Sequence, residues 1–89
     1  MIFTMNELLH AMELARDGDW EGSHNIVQDI NSPHAAWIHA YLHRVEGDDG
    51  NAGYWYRRAG VEFPNESLAD EWRTIYQAIS GEVVSEDPQ

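Results

Sequence analysis

The chain has 89 residues, no cysteine, no lysine, five arginines and sixteen acids, for a formal charge of −11. Without cysteine, disulfides, thiolate zinc sites and a cysteine nucleophile are excluded, and so acidic a surface repels phosphate backbones and anionic lipids, which argues against nucleic-acid or membrane partners. This length suits one hydrophobic core, which four Trp, four Tyr and two Phe can fill, and no apolar run approaches the roughly 20 residues of a membrane span.

Thr4-Met5-Asn6-Glu7 has the form of a capping box, so a first helix is expected from Met5 to Asp17. Leu8, Leu9, Met12 and Ala15 give it one apolar stripe, and Gly18 can end it in the left-handed conformation. Asp19 can cap a second helix from Trp20 to Ile30, with Ser23, Val27 and Ile30 facing inward. Ser32-Pro33 is the clearest start signal in the chain and opens a third helix that runs to Glu46 and stops at Gly47. A fourth helix is expected from Asn51 to Ala59, stopped by Gly60. Pro64 marks a connection, after which Asn65 or Ser67 can cap a last helix. Leu68, Trp72, Ile75, Tyr76 and Ile79 form its stripe, and Gly81 is expected to end it. The spacing predicts an all-α fold of two consecutive antiparallel hairpins and a closing helix, five helices with no strands. It forms one domain over 1–84 with a disordered acidic tail at 85–89. Met1-Ile2-Phe3-Thr4 lacks the basic start of a signal peptide, so a cytoplasmic location is expected.

A shift of 29 residues lays His10-Ala11 on His39-Ala40 and Gly18-Asp19 on Gly47-Asp48, so the two hairpins read as echoes of one unit. Gly47, Ala52, Tyr56, Ala59 and Pro64, with the run Trp55-Tyr56-Arg57-Arg58-Ala59, resemble a tetratricopeptide or Sel-like repeat over Pro33 to Pro64. That resemblance implies a helical-repeat fold and a protein-binding role. The run from Asp19-Trp20 through His24, Trp37 to Arg44 and Gly47-Asp48 to Gly60 is also similar to a group of short bacterial proteins, a resemblance that implies no activity.

Two constellations are candidates for function. His39, His43 and Glu46 fall at i, i+4 and i+7 on one helix face, and His24 and Gln28 repeat the i, i+4 spacing on the preceding helix. Together the five residues are a candidate ligand site, with His39 and His43 as candidate metal ligands. The competing reading is that these histidines pack and hydrogen-bond: Ala40 stands where H-E-x-x-H needs Glu, and a catalytic residue has no reason to recur at His10.

The second constellation is Tyr54, Trp55, Arg57 and Arg58, a candidate interaction surface of residue types enriched at protein interfaces. Three adjacent aromatics, Tyr54 to Tyr56, sweep about 200° of helix, so at least one ring must point away from its own hairpin. The last helix, with Trp72 and Tyr76, could cover it, and Arg58 could pair with Glu62. Gly22 and Gly53, inside helices, suggest close helix contact. The leading expectation is therefore a non-enzymatic module that binds a protein partner or a second copy of itself and needs no cofactor. The alternative is a divalent-metal or small-ligand site at the histidines, with enzymatic activity left open.

Overall fold

The computed structural model describes residues 5–84, five α-helices with no strand among the described residues. They are α1 (Met5–Arg16), α2 (Trp20–Val27), α3 (Pro33–Val45), α4 (Asp49–Ala59) and α5 (Leu68–Val84). Thr4 of the expected capping box and the acidic tail lie outside the described residues. No described helix is long and apolar enough to cross a membrane.

The two hairpins, α1 with α2 and α3 with α4, close through the same device. Gly18 and Gly47 adopt φ of 90° and 81°. Their N–H groups bond to Ala15 O and Arg44 O, while Asp19 N and Asp48 N reach back to Leu14 O and His43 O at 2.8 and 2.9 Å. This is the Schellman arrangement, in which a residue free to take positive φ lets the chain reverse and satisfies the last carbonyls of the helix. Each aspartate then caps the next helix, Asp19 accepting from Gly22 N and Asp48 from Asn51 N. The Gly-Asp echo is thus one turn geometry used twice. Ser32 caps α3 by accepting from Ala35 N, and Ser67, rather than Asn65, caps the last helix by accepting from Asp70 N.

Three boundaries differ from expectation by more than one residue. The second helix ends at Val27 because Ser32 must be extended ahead of Pro33, so the chain leaves the helix early and tightens through an Ile30 N to Val27 O bond. The fourth begins two residues early, at Asp49, directly behind its cap. The last helix does not stop at Gly81, whose φ is not positive, but continues to Val84. Glu82 in that extra turn lies 3.8 Å from the His34 ring.

The central helix is α3, buried nearly all round, with Ala35, Ala36, Ile38, His39, Ala40, Tyr41 and Leu42 inside. Its neighbours are α1, α2, α4 and α5. The main core gathers Leu8 and Met12 of α1, Val27 of α2, Ile38 and Leu42 of α3, and Ile75 and Ile79 of α5. Each such side chain contributes about 1.5–3 kcal/mol by leaving water. Trp72 and Tyr76 lie on α1, where Trp72 donates to Met12 O and Tyr76 to Glu13, so they do not cover the aromatics of α4 as expected. A smaller core of Ala40, Ala52 and Tyr56 joins α3 to α4.

One polar device crosses this core. Glu71, 1% exposed, accepts from Arg44 Nη1 at 2.7 Å and from the Tyr56 hydroxyl at 2.5 Å, and Arg44 Nη2 donates to Glu66 O. Both carboxylate oxygens are therefore satisfied by groups from α3 and α4, which is what makes an acid tolerable on the inner face of α5. Removing Glu71 would leave the Arg44 charge without its partner, a change that typically costs about 3–5 kcal/mol.

Candidate functional site

The α2–α3 junction places three imidazoles against one another. His24 projects from α2 toward α3, and His39 and His43, one turn apart on α3, meet it from the other side. His24 Nε2 and His39 Nε2 are 3.0 Å apart, and one ring nitrogen from each of the three residues falls within 4.8 Å of the others. Their rings are 4.6 to 5.8 Å apart by centroid. The helices hold this geometry through core packing and through Trp20, whose indole donates to Leu42 O at 2.7 Å.

Two tryptophans sandwich the cluster. Trp20, one turn before His24, stacks on it at 4.7 Å and 11°, and Trp55 of α4 stacks on His39 at 3.9 Å and 15°. Flat stacking on both flanks restricts rotation of His24 and His39 and leaves their ring edges directed at each other. Arg58 lies over the outer face of Trp55 at 5.0 Å and donates to the Tyr54 hydroxyl at 3.1 Å.

The third histidine carries a carboxylate on its outer edge. His43 Nδ1 is 3.1 Å from Glu46 Oε1 and 3.9 Å from Asp48 Oδ2. A carboxylate on Nδ1 favours the tautomer with the proton there, which leaves Nε2 as the basic nitrogen. Asp48 is itself anchored by the Asn51 side chain and backbone, which hold its carboxyl below the usual range.

Electrostatics keep the inner rings neutral. Burial, followed by the neighbouring His24 and His43, pushes His39 down to about 4. Burial and His43 also lower His24, against the opposing pull of Glu46 and Glu21. At neutral pH a proton must therefore be shared across the 3.0 Å contact, one ring donating and the other accepting. Neutral imidazoles are the form in which histidine ligates metals.

Among the expected ligand residues, His24, His39, His43 and Glu46 come together. Gln28 does not: its amide faces Asn25 at 3.4 Å, at the exposed end of α2. It lines instead a cleft of about 360 Å³ between the α2–α3 turn and α4, which also includes Trp55 and Arg58. Among the expected interaction residues, Tyr54 is 45% exposed and is the ring that points away from its hairpin. Trp55 is turned inward onto His39, and Arg57 and Arg58 are exposed. Arg58 does not pair with Glu62, and neither arginine forms an ion pair among the described residues, because the Tyr54 and Trp55 rings hold the Arg58 head group instead. The remaining histidines stand apart: His10 is exposed on α1, and His34 faces Glu82.

Two partners of the site escaped sequence reading. Trp20 precedes His24 by four residues, the spacing of stacked neighbours on a helix. Asp48 comes near His43 through the Schellman turn that folds it back over the end of α3. Compared with known proteins, the chain matches no family model, no curated protein and no solved structure.

Proposed function

We propose that this protein binds a divalent transition-metal ion, of which zinc is the leading case, through His24, His39 and His43, with Glu46 orienting His43. The observation that carries this reading is the convergence of three imidazole nitrogens, supplied by two helices, within 4.8 Å of one another. With zinc–nitrogen bonds of 2.0–2.1 Å, two ligands of a tetrahedral site stand about 3.3 Å apart, so the His24 to His39 pair needs to open by only a few tenths of an ångström. An all-nitrogen donor set suits zinc, copper, nickel or cobalt, whereas calcium and magnesium require oxygen ligands. The charge of −11 draws cations to the surface. Three protein ligands leave a coordination position for water or a small molecule, the arrangement of metal sites that do more than staple a fold.

The test is a melting curve of tag-free, chelator-treated protein with and without zinc. Saturating zinc, at about 100 times its Kd, adds about 2.7 kcal/mol and raises Tm by roughly 10–20 °C in a domain of this size. The rise disappears in His39→Ala. A wild-type curve unmoved by zinc, nickel and copper contradicts the reading.

The exposed Tyr54 favours a second reading, in which the α4 surface with Trp55, Arg57 and Arg58 docks a protein partner or a second copy, as the tetratricopeptide-like reading of the hairpins implies. Sedimentation of wild type and Tyr54→Ala, Arg57→Ala at matched concentrations separates self-association, which the double variant abolishes, from a monomer in both.

A further inference from the structure

The cleft beside the histidine cluster has its own charge pattern. Gln28, Asp29, Ser32, Ala36, Trp55 and Arg58 are among the residues that line it. It shares a wall with the cluster, since Trp55 stacks on His39 and Ala36 lies one turn before His39 on α3. The charges on its lining are opposite in sign, Asp29 and Arg58, and they do not pair with one another or with any other described residue. Of the five arginines, Arg57 and Arg58 have no carboxylate partner among the described residues, and of these two it is Arg58 that lines the cleft. This one is held ready by its position over Trp55 and by its bond to the Tyr54 hydroxyl, which uses one of its five donors.

From this we infer that the cleft binds a small zwitterion, with its carboxylate on Arg58, its ammonium on Asp29 and its carbon skeleton against the Trp55 ring. Guanidinium and carboxylate match in fork geometry, so Arg58 contributes orientation as well as attraction. The field of the whole chain excludes one alternative. A net charge of −11 opposes entry of a simple anion, while a molecule with no net charge enters freely and still meets both partners. Neutral polar groups on the lining, Gln28 and Ser32, supply further donors and acceptors. The inference stands on the unpaired charges of the cleft and not on metal binding at the neighbouring histidines.

The experiment is an NMR titration of the full chain, followed at the Trp55 indole N–H. Probes are β-alanine and 4-aminobutyrate, with propionate and propylammonium as controls that carry one charge each. At least one zwitterion shifts the signal saturably, and each control binds at least tenfold more weakly. Arg58→Gln and Asp29→Asn each weaken zwitterion binding at least tenfold while the melting curve stays in place. Zinc binding, measured on the same variants, is unchanged, which separates this cleft from the histidine site. Equal binding of propionate or propylammonium, no saturable shift with either zwitterion, or full binding in both variants would overturn the inference.

Discussion

Glu46 is the residue on which the proposed site turns without touching the metal. Its carboxylate at 3.1 Å from His43 Nδ1 fixes which nitrogen of that ring is free. Partners of this kind typically tune metal affinity by about 10–100-fold. Glu46→Gln is therefore expected to weaken zinc binding by roughly that factor in calorimetry. The metal-free melting curve should remain in place, since Glu46 is exposed and its neighbour Gly47 makes the turn. The tyrosines give the pH counterpart. Burial and the bond to Glu71 raise Tyr56 above its ordinary value of 10, and burial beside Glu71 raises Tyr41. Above pH 10 the unfolded chain releases these protons and the folded chain keeps them, so the native state binds more protons and stability falls as pH rises. No lysine titrates in the same range. Tyrosinate absorbance from Tyr41 and Tyr56 should appear only together with unfolding, and Tyr56→Phe should lower the amplitude of that step. At this scale His39, His43 and Glu46 were legible, because one helix face presents i, i+4 and i+7 whatever surrounds it. The Trp55 stack on His39 and the bonds of Glu71 were not, because they depend on which helices become neighbours. Glu71 left a sign all the same, a carboxylate among the apolar positions between Leu68 and Ile75.

Elements in this fold are set by their ends. Gly18, Gly47 and Gly60 all take positive φ and all close Schellman turns, and each is legible in the sequence as a stop. Glycine inside a helix is another matter. A Cβ on Gly22 would lie 2.5 Å from the Asp19 carboxylate that caps α2, so that glycine makes room for the cap rather than for a neighbouring helix. A Cβ on Gly53 would meet only Arg57 Nη1 at 3.7 Å, an ordinary contact. The expected role of both glycines in close helix packing is thereby replaced. Gly53→Ala should stabilise the protein by about 1 kcal/mol, the usual gain of alanine over glycine in a helix interior, visible as a higher urea midpoint. A lower midpoint would mean that the position has a use beyond the helix. The last helix shows the limit of punctuation, for Gly81 ends nothing where the chain keeps helical φ and Glu82 reaches His34.

For the whole molecule the consequence is a division of labour between hairpins. The first supplies His24 and the second supplies His39 and His43, so an ion bound as proposed would join two units that otherwise meet through the Trp20 to Leu42 bond, the imidazole contact and core packing. The all-α class and the order of helices could be read from caps, stops and apolar spacing, because these are local. The meeting of His24 with His39 was legible only through the assumption that consecutive helices pack side by side, which holds for α1 to α4 but not for α5, which packs on α1 and α3 rather than on α4. The most direct measurement is a long-range proton–nitrogen NMR spectrum of all five histidine rings as zinc is added to metal-free protein. The account predicts that one ring nitrogen each of His24, His39 and His43, Nε2 in the case of His43, moves to a metal-bound shift at one equivalent, with His10 and His34 unmoved. Zinc that shifts His10 or His34 first, or leaves the three clustered rings where they were, contradicts it.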